Sequence, residues 1–156
     1  MKIATLALLL LSFASFGQVT TESNTTSEWY RYTAISPDGK SIAFTHKGDI
    51  YIVSNDGGEA KRITTHTAND YQPVWNSDGT QLAFASNRYG NDDVFLVSAK
   101  GGEATRLTFH SSNEVPYSFS SDDKSVIFEG LRMDDVNHRQ MDYEWITEVY
   151  TVPVTG

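Results

Sequence analysis

A short turn phrase recurs three times along the chain: SPDGK around Asp38, NSDGT around Asp78 and SSDDK around Asp122. The copies stand about 40 residues apart, and a repeat of that period dictates a fold made of stacked supersecondary units. The chain writes out as three rows. The first begins YRYTAISPDGKSIAFTHKGDIYIVSNDGGEAKRIT, the second YQPVWNSDGTQLAFASNRYGNDDVFLVSAKGGEATRLT, and the third VPYSFSSDDKSVIFEGLRMDD, running on to VPVTG.

Each row divides into short segments rich in β-branched and aromatic residues. In the second row these are Gln72–Asn76, Gln81–Ser86, Asp93–Ser98 and Ala104–Thr108. Large apolar residues recur two apart, Leu82 with Phe84 and Phe95 with Val97, which is a strand period rather than a helical one. Asp38-Gly39 and Asp78-Gly79 supply the positive φ of a tight hairpin, and Gly57-Gly58 and Gly101-Gly102 do so at the next turn. Asp123 takes the glycine's place in the third row, a conformation aspartate tolerates better than most residues. Phe44, Phe84 and Phe128 fall at equivalent places on the second strand of each row, and Ile52, Leu96 and Thr151 on the third. Such positions pack one sheet on the next.

These rows predict an all-β chain. It is a partial β-propeller of four-stranded antiparallel blades, two complete and a third incomplete, over about 29–64, 71–108 and 115–156. The third row reaches Gly156 where its counterparts continue as GGEAKRIT and GGEATRLT. The expectation is therefore a piece of a longer protein, prone to self-association when alone, because an unpaired third strand is an aggregation edge.

The N-terminus reads differently. Lys2, the apolar run Ile3–Leu11, and small Ser15 and Gly17 before Gln18 form the pattern of a secretory signal peptide over 1–17. The run is too short for a membrane span, so none is expected after its removal. Residues 18–28 read as a polar flexible leader, leaving 29–156 as the propeller segment. The chain has no cysteine, so export implies a scaffold held by burial and strand pairing, as in a periplasmic or extracellular bacterial protein. The net charge of -8, with acidic and basic residues scattered, excludes a basic stripe for nucleic acid.

A four-strand meander puts the tight turns at one end and the longer connections at the other. Recognition residues belong on such connections. The candidate peptide-binding rim is therefore His66, Asn69, Asp70, Arg88, Asn91, Asp92, His110, Asn113 and Glu114. Asp134, Asp135 and His138 have metal-ligating side chains but no spacing that fixes a geometry, and no metal or cofactor is expected. Tyr143 and Trp145 flank the long third-row insertion and are expected to cover its edge. No GxSxG, HExxH, P-loop or GxGxxG occurs, so no catalytic residue is assigned.

The runs SPDGKSIAF, PVWNSDGTQLAFASNRYGNDDVFLVSAKGGEATRLTFHS and PYSFSSDDKSVIFEG resemble TolB-type propeller repeats. Their order, from the GDIY strand to the third-row insertion, is similar to the N-terminal propeller of tricorn-protease-like peptidases over Trp29–Gly156. That resemblance implies an exported serine peptidase of the tail-specific type. Its propeller gates or channels unfolded peptide to a catalytic domain absent from this chain, and its partners are peptides, further blades and that domain. Two alternatives share the same repeats: a TolB-like protein-binding propeller, and the cap of a prolyl-oligopeptidase or dipeptidyl-peptidase hydrolase.

Overall fold

The computed structural model describes residues 29–132 and 148–156. The segments read as signal peptide (1–17) and leader (18–28), the Asp134, Asp135 and His138 group, and Tyr143 and Trp145 lie outside the described residues. Among the described residues there are eleven strands in three antiparallel sheets. The first sheet holds β1 (Arg31–Ile35), β2 (Ser41–His46), β3 (Asp49–Ser54) and β4 (Lys61–Arg62). The second holds β5 (Asp70–Trp75), β6 (Gln81–Ser86), β7 (Asp93–Ser98) and β8 (Thr105–Arg106). The third holds β9 (Glu114–Phe119), β10 (Ser125–Gly130) and β11 (Glu148–Pro153), in the order β11-β10-β9. The fold is all-β, as partial propeller blades require.

The repeated aspartate works the same way in every row. Asp38 accepts from Ser36 Oγ at 2.7 Å and from the Lys40 amide at 3.1 Å. Asp78 accepts from Asn76 Nδ2 at 2.7 Å and the Thr80 amide at 2.8 Å. Asp122 accepts from Ser120 Oγ at 2.7 Å and the Lys124 amide at 3.1 Å. The side chain thus holds the first hairpin closed while the next residue turns with φ of 72° at Gly39, 70° at Gly79 and 57° at Asp123. Asp123 gains something a glycine could not: its carboxylate accepts the Ser77 amide at 3.0 Å, tying the third sheet's turn to the second's.

Period-two alternation divides each central strand between two interfaces. Leu82, Phe84, Phe95 and Val97 face the first sheet, where they meet Ala43, Ile50 and Ile63. Ala83, Val94 and Leu96 face the third, where they meet Val126 and Phe128. Each fully buried aliphatic or aromatic side chain contributes about 1.5–3 kcal/mol, so the second sheet is stabilised from both sides. The phenylalanines placed on the second strand of each row, Phe44, Phe84 and Phe128, are all buried. Their third-strand counterparts diverge: Leu96 is buried, Ile52 half-buried and Thr151 exposed. Thr151 departs from the packing expected of it because no further sheet lies against it among the described residues.

Sheets approach one another chiefly through β1, β5 and β9, so the first strand of each row is innermost. A register shift interrupts the first two of these strands beside Tyr32 and Gln72, both at φ 53°. In β9 Pro116 stands in the equivalent stretch, and its ring forbids that φ. The shift there skips Tyr117, the next residue of β9, opposite the Ile127–Phe128 step of the paired strand.

The outermost strands are shorter than the sequence suggests. β8 forms a ladder only at Thr105 and Arg106, not over Ala104–Thr108. Beyond it the Leu107 amide still donates to the Val94 carbonyl at 2.8 Å, and Thr108 Oγ1 accepts from the Val94 amide at 2.9 Å in place of a backbone carbonyl.

Candidate functional site

The loop end is built on four carboxylate–guanidinium pairs. Asp49 pairs with Arg62 at 2.5 Å, Asp70 with Arg88 at 2.8 Å, Asp93 with Arg106 at 2.7 Å and Glu114 with Arg132 at 2.6 Å. All four acids are buried. Two of them open the first strand of a sheet and take their arginine from just beyond the second strand. The other two open the third strand and take it from the fourth. A buried charge left alone would cost several kcal/mol, so each arginine fixes where its loop must lie. The arginines also lie over aromatic faces: Arg88 over Phe95 at 4.8 Å, Arg132 over Tyr150 at 4.8 Å, and Arg106 over Tyr89 at 4.4 Å.

The structure sorts the nine rim residues into two groups at successive sheet junctions. At the first junction the Asn69 amide donates to Asn87 Oδ1 at 2.9 Å, the Asp70 amide donates to Gly48 O at 2.8 Å, and Asp70 holds Arg88. At the second junction Asn91 Nδ2 donates to the carbonyls of His110 and Ser112, both at 2.9 Å. There the Asp92 amide donates to Asn113 Oδ1 at 3.1 Å, and Glu114 donates its amide to Asp92 O at 2.7 Å. His66 and His110 occupy matching places. Nδ1 of each accepts the amide two residues on, from Ala68 at 3.0 Å and Ser112 at 3.1 Å. Ser112 Oγ also lies 2.8 Å from His110 Nδ1, a contact local to that loop.

Asp70, Arg88 and Glu114 therefore stand within the scaffold, while His66, Asn69 and Asn113 are exposed and Asn91, Asp92 and His110 half-buried. Two crevices open beside them. One of about 340 Å³ lies between His66, Arg88 and Tyr89. The other, of about 390 Å³, lies between His110, Phe109 and Arg132. Sequence reading passed over Asp49, Arg62, Asp93, Arg106 and Arg132. The signal was present, because an acid opens the third strand of every row and an arginine stands at the same place in both GEA phrases.

Toward the axis, Tyr32 and Tyr71 rings lie 5.2 Å apart, and Tyr117 Oη donates to Glu129. Burial first, and then the Asp92 carboxylate to which it donates, push the Tyr71 phenol upward. Burial pushes the Asp93 carboxyl up as well, against the downward pull of Arg106. Among the described residues no three His, Asp or Glu side chains converge as metal ligands. The arrangement offers hydrogen-bonding groups and negative charge on fixed loops, which suits binding.

A family model for the tricorn protease N-terminal beta propeller domain matches residues 27–156. Dipeptidyl-peptidase 5 of Porphyromonas gingivalis is 37% identical over 68 residues, covering 37% of this chain and 10% of that protein. The chain thus spans about a tenth of that relative's length. Among solved structures, TolB from Acinetobacter baumannii aligns with a TM-score of 0.63 at 23% identity, over 80% of this chain and 30% of that one. The tricorn protease aligns with a TM-score of 0.52 at 12% identity, over 78% of this chain and 12% of that one. The structural likenesses speak for the fold, and the family model, which takes in all three sheets, speaks for descent: the chain belongs to the tricorn protease N-terminal beta propeller domain family.

Proposed function

We propose that this chain is part of the propeller of an exported, tricorn-like serine peptidase, and that it gates or channels unfolded peptide toward a catalytic domain elsewhere in the parent protein. The observation that carries the reading is the family match across 27–156, and the signal-peptide pattern over 1–17 supports export. His66, Asn69, Asn91, Asp92, His110 and Asn113 form the rim that contacts peptide. Asp70, Arg88 and Glu114 hold that rim in place through their buried pairs. The work asked of the segment is steric and electrostatic: it concentrates extended chains and turns away folded ones.

Fluorescence anisotropy with a labelled, reduced and carboxymethylated polypeptide tests this against the same polypeptide in its folded, oxidised form. The unfolded form is expected to bind at least about tenfold more tightly, and His66→Ala with Asp92→Asn to weaken it by about tenfold. Equal binding of both forms would contradict gating. A second reading, the cap of a dipeptidyl-peptidase-type hydrolase, draws on the 68-residue stretch shared with Dipeptidyl-peptidase 5. Under it, short peptides would bind as well as the long unfolded chain.

A further inference from the structure

Each row interrupts the ladder of its first strand, and a tyrosine stands at every interruption. The register of β1 shifts between Arg31 and Ala34, around Tyr32. That of β5 shifts between Tyr71 and Val74. In β9, Pro116 and Ser118 pair with neighbouring residues of β10 and Tyr117 is skipped. A bulge re-aims the side chain beside it, and these strands are the innermost of their sheets. The three bulges are held side by side. Trp75 Nε1 donates to Ala34 O at 3.1 Å, and Gln72 Nε2 to Pro116 O at 3.3 Å. Tyr32 keeps a φ of 53°, which sterics disfavour for a bulky side chain.

The rings so placed lie outside both packed clusters between the sheets. Tyr32 is 46% and Tyr117 50% exposed, and the Tyr32 and Tyr71 rings lie 5.2 Å apart. Carboxylates stand among them. Tyr71 donates to Asp92 and also feels the charge of Glu129. Tyr117 Oη donates to Oε2 of Glu129, which leaves Oε1 for a second donor. Asp92 and Glu129 are half-buried, where a charge is screened less than on open surface. Arg31, beside Tyr32 in the chain, has its guanidinium over the Trp29 ring at 5.4 Å. Exposed ring faces beside carboxylates complement a cation, and best a flat, weakly hydrated one.

We infer that this wall of Tyr32, Tyr71 and Tyr117, with Asp92 and Glu129, selects among extended peptides for segments that carry arginine, and takes lysine less well. One guanidinium rests on the Tyr117 ring and bonds Glu129. A second rests on the Tyr32–Tyr71 pair beside Asp92. Acidic segments meet like charge at both places and are turned away. The inference rests on the reading of this chain as a peptide-handling propeller, and adds which peptides it prefers and which side chains choose them.

The test is anisotropy of the chain with fluorescein-labelled Gly/Ser peptides bearing arginine, lysine, glutamine or glutamate at alternate positions. The arginine peptide is expected to bind at least about tenfold more tightly than the glutamate peptide, and about threefold more tightly than the lysine one. Glu129→Lys is expected to erase the preference for arginine over glutamate. Asp56→Lys makes the same change in net charge at an exposed site in the tight turn after β3, and is expected to keep it. Tyr32→Phe retains the preference for arginine over lysine, and Tyr32→Leu loses it. Equal effects of Glu129→Lys and Asp56→Lys would assign the preference to the net charge of -8 and overturn the inference. Tyr32→Leu behaving as Tyr32→Phe would overturn it too. Equal binding of all four peptides, with unfolded polypeptide still preferred over folded, would overturn this inference and leave gating standing. Preference for arginine with folded and unfolded polypeptide bound alike would sink gating alone. Binding of no peptide at all would overturn both.

Discussion

The second and third sheets carry nearly the same strands and live in different surroundings. Val94 and Val149 share a register, yet one is 0% and the other 67% exposed. Leu96 is buried and its counterpart Thr151 exposed. The second sheet has a neighbour on each face and a fourth strand on its edge. Among the described residues the third has a neighbour on one face. A repeat's strand pattern settles its own hydrogen bonding, but its stability comes mostly from what stacks beside it.

The largest expected effect is at the buried pairs. Arg88→Ala strands Asp70 with no partner and costs about 3–5 kcal/mol in urea unfolding monitored by tryptophan fluorescence. Arg132→Ala, at the more open third sheet, costs less. An equal loss at both would mean the two sheets are equally enclosed. Next comes the matched pair of valines. Val94→Ala costs about 2 kcal/mol, while Val149→Ala stays within about 0.5 kcal/mol in the same assay. A smaller effect belongs to the bridge between their turns. Asp123→Gly keeps the positive φ and loses the bond to the Ser77 amide, so it costs about 1 kcal/mol and no more.

The smallest effect is read by pH. The Ser120 hydroxyl first, and then the Lys124 amide, hold the Asp122 carboxyl below its ordinary value of 3.8. Its contribution to stability is present above that value and lost as pH falls through the lowered one. Asp93 runs the other way. Its raised value disfavours the fold at neutral pH, and the penalty eases as pH falls through that value toward 3.8. Carboxyl titration by NMR should put the Asp93 midpoint above, and the Asp122 midpoint below, that of an ordinary aspartate. Coincident midpoints would remove the distinction.

Much of this architecture was legible in the residues. The Asp-Gly turns and the period-two runs around Phe84 and Phe95 place the hairpins within a residue or two. The fourth strand is shorter than its residues suggest, because Ala104–Thr108 looks continuous while Thr108 closes the pairing with its Oγ1 on the Val94 amide instead of extending the ladder. The site was legible by location and less so by role. Asp70, Arg88 and Glu114 were read as rim groups from their place on connections. Pairing across 18 residues, as Asp70 and Arg88 do, leaves no local trace in the sequence. Thr151 shows the same limit in packing, since position within a row fixes a strand's direction but not whether another sheet will cover it.

Amide hydrogen exchange on the whole chain tests the central claim most directly, because it reads each strand's enclosure separately. Stacked, unequally covered sheets predict the strongest protection in β6 and β7, weaker protection in β2 and β3, and the fastest exchange at the outward-facing amide of Val149 in β11. Uniform protection across all three sheets, with Val149 as slow as Val94, would mean that the third sheet's edge is covered and that this account of unequal neighbours is wrong.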